Sequence, residues 1–296
     1  MVLNMKYIKN ETNDVERAYY GSSNISFDQI TIAGPKDGES AFKESHDIEV
    51  SNSQFELRYP FWHNNNLKVN LCKFSDKCRA AFWYDNNIQI FNSQSNGVKA
   101  FRECKNITIN NSMFNSEEIF WNCQNINSSS CTFKGMYAFF QCNKISINSM
   151  NFVGKYSFQY VKDMKIDSSI LDTKDAFWHS KNVTVTNSTI KGEYLGWYSE
   201  NLTLINCKIT GTQPLCYVKN LVLQNCTFEG CDLAFEYSEV NGSICGNMVS
   251  IKNPLKGNLC VENIPELIVD EFDRSNGQFS IQIMNSKSYD EPLIEK

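Results

Sequence analysis

The chain has 296 residues, 42% hydrophobic and 21% charged, a balance that suits a folded protein and excludes a disordered one. Its 28 basic and 33 acidic residues leave a net charge of −5 with no basic run, which argues against nucleic acid as the partner, since phosphate binding needs clustered Lys and Arg. No stretch approaches the roughly 20 apolar residues that cross a bilayer, and Met1–Asn10 lacks the apolar run of a secretion signal, so a cytoplasmic protein without membrane contact is expected.

Residues 1–20 are polar and charged and precede any repeat. They are expected to cap the chain's later coils with a short helix or an irregular strand, because the first rung of a solenoid otherwise exposes an open edge. Ile25–Ile32 alternates in part and reads as a strand, and Gly34-Pro35-Lys36-Asp37-Gly38 reads as a turn. This first, irregular coil ends at Ala41-Phe42.

From Lys43 a repeat is explicit. Phe82, Phe101, Phe120, Phe139, Phe158 and Phe177 recur every 19 residues, and Phe61 and Phe42 join them across one two-residue insertion. Each copy carries three apolar segments. The first has two apolar residues two apart, as in Ile107 and Ile109 or Val183 and Val185, which places both on one face of a strand. The second ends in an apolar residue such as Phe74, Phe114, Phe133 or Ile190, and the third holds the Phe column. Between them lie an Asn column (Asn66, Asn87, Asn106, Asn125, Asn182, Asn201, Asn220) and a Gly column (Gly97, Gly135, Gly154, Gly192, Gly211, Gly230). Asn tolerates the left-handed backbone of a sharp turn and can form a hydrogen-bonded ladder when stacked, and the glycines read as further turns.

Three short strands in a period near 19 residues define a parallel β-helix of about ten coils, since helical repeats are longer and the leucine-rich consensus is absent. The repeat decays after Phe228, a closing strand is expected at Glu266–Asp270, and Tyr289-Asp290-Glu291-Pro292 reads as a solvated tail. The domain organisation is a cap over 1–20, a β-helix over 21–260, and a closing strand and tail over 261–296.

The twelve cysteines fall into columns shared with small residues, such as Cys104, Cys123 and Cys142, and no CxxC pair is present. They are expected to be free, buried thiols, with no metal and no cofactor.

Functional signals are confined to the residues just after each Phe. That column reads Lys43, Trp62, Trp83, Arg102, Trp121, Phe140, Gln159, Trp178 and Trp197, a mixture too polar for a core, so it should face outward. The next column adds His63, Tyr84, Glu103, Tyr160, His179, Tyr198 and Tyr217. An outward stripe of planar rings edged by polar groups suits a sugar or an apolar protein surface. The proposed ligand or partner stripe is therefore Trp62, Trp83, Arg102, Trp121, Phe140, Trp178 and Trp197 with Tyr84, Tyr160 and Tyr198. Catalytic residues are not identified: Glu44, Glu103, Glu117, Glu118 and Asp175 supply carboxylates near the stripe, but no acid–base pair is evident. Trp197 is the least secure member, because Gly196 and Leu215 replace Phe there and the core should narrow.

The coil pattern resembles the right-handed β-helix superfamily that includes pectate lyases and polygalacturonases. That likeness implies a right-handed coil, in keeping with the hand of parallel crossovers, but neither enzyme type's acidic constellation is found here. The segments Glu16-Arg17-Ala18-Tyr19-Tyr20-Gly21 and Gly34–Phe42, with the Ala-Phe-Trp coils, resemble an uncharacterised bacterial family, a domain of unknown function with a β-helix fold. It brings no catalytic residues to transfer. The expected function is a non-catalytic carbohydrate- or protein-binding solenoid. The alternatives are a polysaccharide lyase or glycoside hydrolase, and a structural, self-assembling solenoid in which the stripe mediates homo-oligomerisation.

Overall fold

The computed structural model describes residues 5–34, 39–263, 265–272 and 274–284. The expected turn at Gly34–Gly38 and the acidic tail at Tyr289–Pro292 therefore lie largely or wholly outside the described residues. Those residues form an all-β parallel solenoid of about 14 coils, without a helix. The count exceeds ten because terminal coils keep the backbone path after losing the column identities that mark the repeat. The chain divides into two compact units, 1–153 and 154–296.

In the first unit the longer strands Ser23–Asp28, His46–Ser51, Asn65–Asn70, Asn86–Phe91, Lys105–Asn110, Gln124–Ser129 and Asn143–Asn148 succeed one another in parallel. Their register is fixed by inward residues: Ile48, Leu67, Ile88, Ile107, Ile126 and Ile145 lie directly opposite one another. A one-residue slip would turn every such residue to solvent. Shorter strands such as Lys73–Phe74, Gln94–Ser95 and Met113–Asn115 make the second wall. The third wall is a strand only at Phe61–Trp62, Phe82–Trp83 and Phe101–Arg102. From Phe120 onward the Phe backbone is itself left-handed (φ 56° at Phe120, 58° at Phe139), and a tight turn replaces the strand.

Phe42, Phe61, Phe82, Phe101, Phe120 and Phe139 stack with centroid separations of 4.5–5.4 Å and interplanar angles of 7–26°. All six are fully buried. The Asn column is left-handed at every coil, φ 56–59° from Asn66 to Asn106. Its side chains form the expected ladder, with Asn87 Nδ2 donating to Asn66 Oδ1 at 2.9 Å and Asn125 Nδ2 to Asn106 Oδ1 at 2.7 Å. Asn106 departs by donating to Asn86 Oδ1.

In the second unit Lys162–Asp167, Lys181–Thr186, Glu200–Ile205 and the long strand Lys219–Glu229 continue the pattern. A register shift between Leu223 and Cys226 marks the place where the repeat decays. The chain closes with Gly257–Val261 against Phe279–Ile283, and with Glu266–Ile268 beside Ser250–Lys252. Gly196 leaves room in the Phe column that Leu215 occupies, its Cδ2 standing 2.9 Å from where a Cβ would be. The core stays filled, and Trp197 remains on the outside.

The Gly column needs a correction. At Gly97 a Cβ would stand 1.7 Å from the Cys78 carbonyl oxygen, and at Gly192 2.1 Å from that of Thr173. These glycines answer to the close approach of the preceding coil's backbone, not primarily to a turn.

Candidate functional site

Strand alternation places Phe inward and its successor outward at Trp62, Trp83 and Arg102, and the turns that follow keep Trp121 and Phe140 on the same side, so all five residues of the first unit are half-buried on the outer surface. Trp62 and Trp83 stack at 5.1 Å and 11°, and Trp121 meets Phe140 at 5.1 Å and 40°. Cations close the free faces: Lys43 Nζ lies 3.8 Å above Trp62 and the Arg102 guanidinium 4.6 Å from Trp121. The following residue is left-handed in each coil, which swings it further out. There His63 and Tyr84 sit 5.0 Å apart, Glu44 is 3.8 Å from His63, and Asn122 donates to Glu103 at 2.8 Å.

The second unit carries the more regular array. Trp178 and Trp197 stack at 5.5 Å and 6°. Beside them Tyr160, His179, Tyr198, Tyr217 and Tyr237 form one ladder, with successive centroids 5.0, 5.0, 4.7 and 5.8 Å apart. The first three steps are within 13° of parallel, and the Arg274 guanidinium stands 4.8 Å from the last ring. The spacing is the rise from coil to coil, about 4.8 Å in any parallel β-structure. Tyr237 and Arg274 were not foreseen, although the spacing of Tyr198, Tyr217 and Tyr237 in the sequence carries the signal for the first.

This geometry changes what the stripe can do. Ring faces are turned toward neighbouring rings and cations, so the stripe presents edges to solvent and not a flat platform. Three indole donors are spent as well: Trp121, Trp178 and Trp197 donate Nε1–H to the carbonyls of Tyr137, Tyr194 and Gln213 at 2.7–2.8 Å, whereas Trp62 Nε1 is buried without a partner. In the ladder of the second unit Tyr160, His179 and Tyr198 are exposed, the two tyrosines to 44% and 46%, while the Tyr217 hydroxyl donates to Glu236 at 3.5 Å and that of Tyr237 to the Phe272 carbonyl at 3.4 Å.

The carboxylates near the stripe are mostly engaged. Glu118 is held by Arg102 and Lys99, and Glu117 accepts from the Met136 N–H at 2.7 Å. Asp175 differs, because burial pushes its carboxyl up, opposed by Lys174 and reinforced by Glu193. Close to it, a groove of about 550 Å³ runs over Gly192 and Gly211 between Lys155, Asp172, Lys174 and Glu193. The Lys174 Nζ lies 2.6 Å from Glu193 and 4.9 Å from the Tyr194 ring, which joins this groove to the stripe. Reading the glycines as turns hid the groove. Among the described residues no group of three or more His, Cys, Asp or Glu side chains gathers to hold a metal.

The fold and surface define a β-solenoid with an outward aromatic ladder. The chain belongs to a family described as "Protein of unknown function (DUF3737)", which matches residues 6–282. No curated protein matches it. Among solved structures it is similar to the A-module of mannuronan C-5 epimerase AlgE6 from Azotobacter vinelandii, at 9% identity over 93% of this chain and 88% of that one, with a TM-score of 0.35. It is also similar to the tailspike protein of E. coli bacteriophage HK620 in complex with a pentasaccharide (9% identity, 88% and 69% covered, TM-score 0.36). A third is a mannuronic acid specific polysaccharide family 6 lyase from human gut microbiota (7% identity, 95% and 81% covered, TM-score 0.32).

Proposed function

We propose that this protein is a non-catalytic binding solenoid, and that a linear carbohydrate lies along the Tyr160–His179–Tyr198–Tyr217–Tyr237 ladder. The supporting observation is periodicity: hydrogen-bonding edges repeat once per coil on a rigid backbone. A polymer with its own regular hydroxyl spacing meets such a row repeatedly, whereas an irregular protein surface meets it once. Binding in this reading runs through phenol and imidazole edges, with Trp178 and Trp197 as their support. Twelve unpaired cysteines favour a reducing compartment, which supports the cytoplasmic reading.

The test is affinity electrophoresis through gels containing neutral and acidic polysaccharides, with tryptophan fluorescence as a second readout. His179→Ala combined with Tyr198→Ala should weaken retardation at least about tenfold, the loss of about 1.4 kcal/mol, with the melting temperature held. If no polysaccharide retards the wild-type chain, or the double variant migrates as the wild type does, the reading fails.

A polysaccharide lyase or hydrolase is the second reading, and Asp175 beside Glu193 favours it, since burial moves its carboxyl upward, the direction a general acid needs. Reducing-end release that Asp175→Asn abolishes while binding persists would select it.

A further inference from the structure

In the first unit one coil lacks a ring that its neighbours carry. Register along the second wall sets Phe55 opposite Phe74, Phe74 opposite Ser95, Ser95 opposite Phe114, and Phe114 opposite Phe133. A column of inward phenyl rings is thus broken once, at Ser95, which brings a hydroxyl in place of a ring. The rest of that coil does not make up the volume. Gly97 and Ala100 stand where the following coil has Ser116 and Ile119.

The rings around the break keep their places. Phe82 and Phe101 pass beside it, stacked at 4.7 Å and 10°. Phe74 meets Phe82 at 5.4 Å and 60°, and Phe114 meets Phe101 at 5.4 Å and 55°. All four are buried. Phe74 is 4.8 Å from Phe55, one coil rise, so it has not moved toward Ser95. Phe114 is 5.8 Å from Phe133. It leans toward Ser95 by about 1 Å of the two coil rises, about 9.6 Å, that part it from Phe74. The thickness of one ring is left between them.

The hydroxyl is unusual as well. Ser95 Oγ is buried and meets no hydrogen-bond partner. Nearby buried serines do: Ser93 Oγ donates to the Phe91 carbonyl at 2.7 Å, and Ser112 Oγ to that of Asn110 at 2.9 Å. Water suits the place poorly, because an ordered buried water takes about three hydrogen bonds and ring walls supply none.

We propose that the break at Ser95 is a binding slot for a small, uncharged, flat heteroaromatic ring of azole size, stacked between Phe74 and Phe114 with its polar edge on Ser95 Oγ. Each property follows from the walls. Phenyl faces above and below require a flat ligand. Exchanging Phe for Ser takes about five heavy atoms out of the column, which sets the size. Burial among rings without a counter-charge requires neutrality, and the unpartnered hydroxyl asks for one donor or acceptor. Entry is by local opening of the coils, as for any closed site. The slot is independent of the tyrosine ladder of the second unit.

Fluorine NMR of fluoropyrazole, with pyrazole as competitor, tests this on the full chain. The wild type should bind saturably, one ligand per chain, and pyrazole should raise its melting temperature. Ser95→Phe should abolish binding and melt above the wild type, because it restores the missing ring; Ser95→Leu does the same with fewer atoms should Ser95→Phe misfold. Ser95→Ala keeps the space and loses the hydrogen bond, so pyrazole should bind at least about threefold more weakly. No saturable binding by the wild type up to the solubility of the ligand overturns the proposal. So does binding that persists in a folded Ser95→Phe or Ser95→Leu chain, and so do lower melting temperatures in both, which would mean that the rings have closed the gap.

Discussion

Asp85 holds a place that neighbouring coils fill with Ser45, Asn64, Cys104 and Cys123, and it is the one carboxylate buried there. Its Oδ1 accepts the Asn64 N–H at 2.6 Å and the Asn64 side-chain amide at 3.3 Å, while Oδ2 is buried without a partner. Desolvation pushes the carboxyl up to about 8, against the hydrogen bonds from Asn64 and Trp83. A carboxyl raised in the folded state binds an extra proton there between its unfolded value of 3.8 and about 8, so its contribution to stability falls as pH rises through that window. The slope is about 1.4 kcal/mol per pH unit, and it flattens above about pH 8. Asp85→Asn keeps the acceptor and cannot ionise. Urea denaturation of both proteins between about pH 5 and 8 should show the variant gaining on the wild type at each step, and a constant difference would refute the assignment. Gly97 gives a second test at this scale. Its φ is not left-handed, so Gly97→Ala isolates the clash with the Cys78 carbonyl and should cost about 3 kcal/mol. Gly230→Ala, left-handed at φ 64° with open space around its Cβ, should cost only about 1 kcal/mol. Equal losses would mean that the close approach is not what requires glycine at 97.

At the scale of the element, the sequence was legible wherever one residue type fills a column for a physical reason that the type discloses. The Phe column declared the core, and the Asn column declared both its left-handed backbone and its ladder. Other left-handed columns were illegible. Tyr59, Lys99, Glu118 and Tyr137 share φ values of 51–60° just before the Phe segment, yet none is a residue that favours that region. Each coil hydrogen-bonds in register to the last and so inherits its path, which outweighs single-residue preference. For the same reason the third strand was over-read beyond Phe101: an apolar pair such as Phe120-Trp121 does not disclose that its first backbone angle is positive. The Asn ladder allows the two contributions to be separated. Asn106 is both left-handed and bonded to Asn86 and Asn125. Asn106→Gly keeps the backbone and loses two exposed bonds, for about 1 kcal/mol. Asn106→Ala loses both and should cost about 2 kcal/mol. Chemical denaturation measures the two, and an alanine variant no worse than the glycine variant would show that backbone preference contributes nothing there.

Across the whole molecule, the stripe was legible in position and not in presentation. Alternation put the tryptophans outside, but whether a ring offers its face or its edge depends on the ring in the next coil, which a single column does not reveal. The cysteines show the opposite case, where column membership settles chemistry as well as place. All twelve are unpaired, ten are buried, and only Cys245 and Cys260 are half-buried. Burial pushes the thiols of Cys72, Cys78, Cys216 and Cys231 up to about 12 and those of Cys104 and Cys123 well above the usual range, which keeps the nucleophilic thiolate scarce. Several are further occupied as donors across coils, as where Cys226 Sγ lies 3.2 Å from the Leu204 carbonyl. A solenoid is stabilised by contacts between neighbouring coils only, so a buried thiol becomes reachable when its own stretch opens and not before. Reaction of the native protein with an aromatic disulfide reagent should therefore titrate at most Cys245 and Cys260 in a fast phase, and the remainder at the rate of local opening. In denaturant, without reductant, all twelve should react. Fewer in denaturant would mean that disulfides exist. A fast native phase that includes Cys104 or Cys123, identified by mass spectrometry, would mean that the column at the centre of the coils is not closed.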